Sequence, residues 1–148
     1  MNSKFDIKKL TEYAIQKIIK FSEEHSNETF YGFSLDANLL CLNSIEQFEK
    51  TILRYQKKWK GYNETKKIKN VKMNTGDWKY FGFAKFKNEN GFDYQEYLEH
   101  YHEDEENQLT SNYAKAMNKV IENLKSSSAF DKLKTTDDFF INRTEHEY

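Results

Sequence analysis

Two stretches of the chain carry mainly apolar residues at alternating spacings of three and four, the pattern of an amphipathic helix. The first begins near Ser3 and Asp6, which resemble a helix start. The second begins after Ser44, with Gln47 completing a capping box, and ends at Gly61 behind a run of lysines. The periodic positions are Ile7, Leu10, Ala14, Ile18, Phe21 and His25 in the first stretch, and Ile45, Phe48, Ile52, Tyr55 and Trp59 in the second.

Aromatic and apolar residues with a period of two predict strands elsewhere. Residues 29–35 and 39–42 flank a turn at 36–38, so they are expected to form a β-hairpin. Gly32 lacks a side chain and suits the close approach of a neighbouring element. Residues 78–86 carry aromatic side chains on both faces, so we expect an interior strand that is covered on two sides.

The remaining segments complete the predicted order of elements. Residues 64–73 are expected to form a short edge strand guarded by lysines, and residues 139–141 a last short strand. Helical spacing within 92–103 and 109–124 predicts a third and a fourth helix. The order predicts an α+β fold, a mostly antiparallel sheet of about four or five strands with about four helices packed against it. A single domain spanning residues 1–148 is expected.

Composition favours a folded chain with an aromatic core. Mean hydropathy is −0.98, yet 16% of the residues are aromatic, and aromatic side chains are scarce in disordered segments. Cys41 is the single cysteine, which excludes an intrachain disulfide and favours a small buried hydrophobe over a catalytic thiol. Neither a signal peptide nor an apolar run of roughly 18 residues is visible, so a soluble cytoplasmic protein is expected.

A net charge of −1 hides an asymmetry along the chain. Residues 50–87 contain twelve Lys or Arg and two acids, whereas residues 88–108 contain eight acids and no Lys or Arg. Two such segments either neutralise each other or lie as solvated faces, or one of them steers an oppositely charged partner. Because exposed ion pairs contribute only about 0–1 kcal/mol each, stability alone gives little reason to collect this much charge.

Familiar catalytic motifs are missing from the sequence, and no catalytic residue, cofactor or metal is predicted. The sequence contains neither a Gly-rich phosphate-binding loop nor a GxSxG nucleophile elbow. His100 and His102 would point about 200° apart on a helix, so they could share a metal only from a strand or loop. An enzyme or metal site there is an alternative to a solvated acidic turn, which is favoured. His146 lies in a terminal tail, where disorder is expected.

The acidic segment supports the first hypothesis, a non-enzymatic domain that binds a protein. Tyrosines are favoured at interfaces, and carboxylates steer a basic partner such as a toxin that cuts nucleic acid. The predicted contact residues are Glu96, Tyr97, Glu99, Tyr101, Glu103, Asp104, Glu105 and Glu106.

The basic segment supports the alternative, a protein that binds nucleic acid or another anionic ligand. Aromatic residues are interleaved with its lysines, as in proteins that hold single strands. Core packing would account for Tyr55 and Trp59, which lie on the apolar face of the second helix. The predicted anion-binding residues are Lys57, Lys58, Lys60, Lys66, Lys67 and Lys69.

Four stretches resemble a bacterial family known as domain of unknown function 4303. They are "ETFYGFSLDAN", like its aromatic first strand and turn, "LNSIEQFEKTILRY", like the start of its helix, "GDWKYFGF", like its Trp-x-Tyr strand, and "SSSAFDKL" with "FFINRTEHEY", like its C-terminus. The resemblance implies an intracellular bacterial α+β domain with no established activity. It also implies a setting in which such domains are suspected of being immunity or accessory proteins of toxin–antitoxin or competition loci. It carries over no catalytic residue.

Overall fold

The computed structural model describes residues 4–145. The predicted α+β class is confirmed. Ser3 lies outside the described residues, and the first helix is capped by Asp6, whose carboxylate accepts from the Lys9 N–H at 3.1 Å. The elements are α1 (Ile7–Glu24), β1 (Phe30–Asp36), β2 (Leu39–Ser44), α2 (Ile45–Lys58), α3 (Thr65–Met73), β3 (Tyr80–Lys85), α4 (Tyr94–Tyr101), α5 (Glu105–Gln108), α6 (Asn112–Ser126) and β4 (Thr135–Thr144).

Within the described residues the strands form one four-stranded sheet in the order β3-β2-β1-β4. The β1–β2 and β2–β3 pairs are antiparallel, as predicted, and the β1–β4 pair is parallel. The last strand is longer than the expected 139–141, because its pairing with β1 runs from Thr135 to Thr144. The first strand, β1, therefore lies inside the sheet, and the last strand, β4, lies beside it at the edge.

Helices and turns cover both faces of this sheet. On one face α1 and α6 pack over the strands and bury residues such as Leu10, Phe33 and Met117, each with no exposed surface. On the other face Tyr31, Cys41 and Trp78 form a smaller buried cluster with side chains of α2 packed against it. Aromatic rings thus fill the interior on both sides, as the composition predicted.

The expectation of an edge strand at 64–73 is wrong, because Thr65–Met73 form α3. Its buried residue is Val71, and the helix packs on α2. The carbonyl of Lys72, in the last turn, accepts from the Tyr31 hydroxyl at 2.7 Å and from Trp78 Nε1 at 2.8 Å. Carbonyls at a helix end lack intrahelical hydrogen-bond donors, and here the side chains of Tyr31 and Trp78 supply the donors for the Lys72 carbonyl. Apolar residues three positions apart suit a helix turn, and the tertiary contacts select it.

The expectation of an interior strand at 78–86 is also wrong, because β3 lies at an edge of the sheet. Gly82 has a φ of +69°, and the β2–β3 register shifts between Leu40 and Leu42. This bulge breaks the simple alternation of the two faces. Phe81 is 37% exposed, whereas Phe83 is half-buried with its ring centroid 4.7 Å from that of Phe21.

The predicted role of Gly32 is confirmed. A Cβ atom at this position would lie 2.3 Å from Cζ of Phe140, closer than any side chain tolerates. Gly32 and Phe140 are partners in the parallel β1–β4 ladder. The missing side chain is what lets the ring of β4 lie across β1.

No helix among residues 4–145 is both long enough and apolar enough to cross a membrane.

Candidate functional site

An open cleft of about 1110 Å³ lies where α4, α5, the β1–β2 turn and the end of β4 meet. We call it the acidic cleft. Six of the eight residues predicted for partner binding line it, namely Tyr97, Tyr101, Glu103, Asp104, Glu105 and Glu106. Leu109, also in the wall, is 72% exposed, although the sequence pattern placed it on the apolar face of the fourth helix. The cleft therefore combines carboxylates with apolar and aromatic surface.

Most of the carboxylates of the acidic cleft face solvent. Glu103, Glu105 and Glu106 are exposed, and no salt bridge among residues 4–145 includes any of them. Asp104 caps α5 by accepting from the Asn107 N–H at 2.9 Å. In the run of acids after α4, Asp104 thus caps a short helix, whereas the glutamates leave negative charge on the surface without salt-bridge partners among residues 4–145.

Two predicted contact residues lie outside the cleft wall. Glu99 is exposed on α4. Glu96 is half-buried and accepts from the Lys4 N–H at 3.1 Å and from Asn112 Nδ2 at 2.8 Å. Because Glu96 joins the N-terminal segment to α6, its carboxylate serves the fold.

The floor of the acidic cleft contains a buried histidine, His100, which is 3% exposed. Its Nδ1 lies 2.5 Å from Ser111 Oγ, and its Nε2 lies 2.5 Å from Oε1 of Glu145. Arg143 Nη1 donates to the same Glu145 oxygen at 2.6 Å. Both ring nitrogens have protein partners, so the imidazole ties α4 to α6 and to the end of β4.

Sequence reasoning missed Ser111, Arg143 and Glu145 as neighbours of His100. They lie 11 to 45 positions away along the chain, and no local spacing signals the contact. His102, in contrast, is exposed at the C-cap of α4, so the two histidines do not converge. No group of three or more His, Cys, Asp or Glu among residues 4–145 is arranged to hold a metal ion. His146 lies outside the described residues.

Cys41 is fully buried on β2, as the sequence predicted. Burial raises the pKa of its thiol to about 12, because the apolar surroundings disfavour the thiolate. A thiol that stays protonated and inaccessible is a poor nucleophile. This arrangement favours the structural role.

The basic segment forms a second surface on α2, α3 and the loop between them. All six predicted anion-binding lysines are exposed there. Trp59 is 53% exposed at the end of α2, so the expectation that core packing accounts for it is wrong. The reason is that α2 ends at Lys58, so Trp59 is the C-cap residue and its ring lies beyond the last helical turn.

The two charged surfaces do not neutralise each other. No salt bridge within residues 4–145 joins the basic segment 50–87 to the acidic segment 88–108. The α2 helix packs on the face of the sheet that holds the Trp78 cluster, whereas α4 packs on α6, which covers the opposite face. The missing ion pairs argue against mutual neutralisation, and they agree equally with solvated faces and with a face that steers a partner.

A family model described as a domain of unknown function (DUF4303) matches residues 10–148 of the chain. No curated protein and no solved structure matches the chain significantly.

Proposed function

The chain belongs to the DUF4303 family, whose function is unknown, and we propose that it is a non-enzymatic protein that captures a basic protein partner through the acidic cleft. The observation that carries this proposal is the composition of the cleft. Exposed carboxylates without salt-bridge partners among residues 4–145 lie beside two tyrosines and the exposed Leu109.

Each component of the cleft has a physical part in binding. Carboxylates on its rim raise the association rate of a cationic partner by long-range attraction, an effect that salt screens. A lysine or arginine of the partner would place its charged end among Glu103, Glu105 and Glu106. Its aliphatic stem would lie against Tyr97, Tyr101 or Leu109, because such stems bury well on apolar and aromatic surface.

A binding role also agrees with the groups beneath the cleft. Both nitrogens of His100 are hydrogen-bonded to side chains, and Ser111 caps α6 by accepting from the Ala114 N–H at 3.0 Å. These contacts favour a rigid floor that holds α4, α6 and β4 together. A rigid surface loses little conformational entropy when a partner binds.

The biological setting that we propose is a bacterial immunity protein of a toxin–antitoxin or competition locus. It would act in the cytoplasm by direct contact with a basic toxin. Toxins that cut nucleic acid carry positive charge at their active surface, which suits an acidic inhibitor. Family membership leaves this setting open, and the charge pattern of the cleft supports it.

Charge reversal tests the proposal. The cleft variant E103K/E105K/E106K is compared with E12K/E24K/D131K, which makes the same change in net charge at exposed positions away from α4 and α5. The probes are purified proteins with a pI above about nine encoded beside the gene, and association is followed by surface plasmon resonance at several salt concentrations.

We expect the cleft variant to associate at least about tenfold more slowly with its partner and to lose most of the salt dependence of the rate. The control variant should keep most of both. Equal rates for the wild type and the cleft variant, with the same response to salt, would show that the acidic cleft is not the binding surface.

A further inference from the structure

Three aromatic rings gather at the exposed end of α2. The ring centroid of Tyr55 lies 5.2 Å from that of Trp59 and 5.2 Å from that of Tyr62, and the Trp59 and Tyr62 centroids are 6.0 Å apart. The Trp59 side chain is 53% exposed, and Tyr55 and Tyr62 are half-buried. We call these three residues the aromatic cluster. It is separate from the buried cluster around Trp78, so the core does not account for it.

Cations surround the aromatic cluster. Arg54 Cζ lies 5.6 Å from the centroid of Tyr55, Lys58 Nζ 5.9 Å from that of Trp59, and Lys67 Nζ 5.5 Å from that of Tyr62. Lys57, Lys60, Lys66 and Lys69 are exposed on the same two helices and their connection. No salt bridge among residues 4–145 includes any lysine or arginine of segment 50–87. The positive charge of this face is therefore available to an anionic partner.

Local structure holds the rings in place before any ligand arrives. Gly61, with a φ of +94°, turns the chain after α2 and brings Tyr62 back beside the helix. Gln56 Nε2 donates to the Tyr62 carbonyl at 3.1 Å, and the Tyr55 hydroxyl donates to Asp77 Oδ1 at 2.7 Å. The hydrogen bond to Asp77 raises the pKa of Tyr55, so this hydroxyl remains a donor. Such prearranged rings lose little entropy on stacking.

We infer that this face binds single-stranded nucleic acid, with bases stacked on Trp59 and Tyr62 and phosphates beside Lys58 and Lys67. Stacking on aromatic rings combined with cationic contacts to the backbone is the usual way in which proteins hold single strands without sequence preference. In a duplex the base faces are already stacked on each other, so only the lysines would have a partner. The exposed tryptophan thus favours a single strand over a duplex.

The surface is independent of the acidic cleft. The overall charge of −1 does not oppose this binding strongly, because charges more than about 10 Å away are screened at ordinary salt. The two proposals can accordingly succeed or fail separately.

Fluorescence anisotropy of a labelled twenty-nucleotide oligothymidine tests this inference. The W59A variant should bind at least about fivefold more weakly, because that factor corresponds to the lower end of the stacking energy of one base. Its matched control is L53A, which removes another exposed apolar side chain of α2, 59% exposed, outside the aromatic cluster.

The double variant K58Q/K67Q tests the phosphate contacts. Its slope of log affinity against log salt should be smaller than that of the wild type by about 1.4, the value for two lost phosphate contacts on a single strand. The control K8Q/K20Q changes two exposed lysines of α1.

The competing outcomes are distinct. If wild type does not bind oligothymidine at about 50 mM salt, where phosphate contacts are strong, the inference is wrong. It is also wrong if W59A and wild type bind equally, or if a duplex of the same length binds as tightly, since either result would indicate adsorption of any polyanion. Far-UV circular dichroism of W59A should match wild type, because the ring lies outside the core. The cleft variant E103K/E105K/E106K should not lose oligothymidine binding, whatever its effect on the protein partner.

Discussion

At the scale of single residues, Glu28 joins the ends of three elements. Its carboxylate accepts from Ser44 Oγ at 2.6 Å and from the Tyr80 hydroxyl at 2.5 Å, and it lies 3.3 Å from His25 Nδ1. Burial by itself would raise the pKa of Glu28, but the hydrogen bonds from Ser44, Tyr80 and His25 together lower it below its usual value of 4.5. The ionised carboxylate therefore stabilises the junction of α1, β2 and β3.

Replacing Glu28 by Gln should lower the free energy of unfolding at pH 7 by about 1–3 kcal/mol, because hydrogen bonds to a charged acceptor are lost. The effect depends on pH. A carboxyl whose folded pKa is lowered stabilises fully above its unfolded pKa, near 4.5, and this contribution disappears as the pH falls through the lower folded value. Urea unfolding from pH 7 to pH 3 should show the wild type and E28Q converging towards low pH.

The matched control for that measurement is E12Q, on the exposed side of α1, which should unfold like the wild type at each pH. A gap between wild type and E28Q that stays constant down to pH 3 would mean that the ionised form of Glu28 contributes nothing.

At the scale of elements, the contact between β1 and β4 depends on one pair of residues. Gly32 of β1 leaves room for the ring of Phe140, which packs with its centroid 6.3 Å from that of Tyr31 and 6.0 Å from that of Trp78. The ring thereby covers the smaller buried cluster from the β4 side. Any side chain at position 32 must displace this ring.

Gly32→Ala should lower the free energy of unfolding by about 1–3 kcal/mol, the usual result of overpacking. The double variant G32A/F140A should be less destabilised than the sum of G32A and F140A, because removing the ring removes the clash. Urea unfolding of the four proteins gives the coupling free energy, expected at about 0.5–3 kcal/mol. Strictly additive effects would show that the two side chains do not compete for the same space.

At the scale of the whole molecule, residues from opposite ends of the chain complete each other's packing. The Tyr113 hydroxyl of α6 donates to the Ala37 carbonyl at 2.8 Å, and Asn123 Nδ2 donates to Thr11 of α1 at 3.2 Å. The central strand β1 has β4 as its neighbour on one side. Since these contacts join distant segments, the sheet cannot be completed before the last strand is present.

Deleting residues 134–148 removes β4 and should abolish cooperative unfolding, because β1 would become an edge and both buried clusters would lose their cover. Thermal circular dichroism should show a broad transition, and a hydrophobic dye should bind the truncated chain. Adding the peptide 134–148 in excess should restore a cooperative transition. A truncated chain that melts as sharply as the full chain would contradict the proposed dependence on β4.

Local patterns in the sequence were sufficient for several elements of the fold and for part of the acidic cleft. The spacing of apolar residues and the cap at Ser44, which accepts from the Gln47 N–H at 3.1 Å, located α2. Period-two aromatics located the β1–β2 hairpin, and the run of acids after α4 located the carboxylates of the cleft. These features are local because capping, helical periodicity and charge density depend on residues close together in the chain.

The tertiary structure alone decided which residues those elements meet. It made α3 a helix, placed β3 at an edge, left Trp59 in solvent and brought Arg143, Glu145 and Ser111 beneath the cleft around His100. Strand order, burial and hydrogen bonds between distant segments depend on how the whole chain packs. No window of the sequence contains both partners of such a contact, so only the folded molecule reveals them.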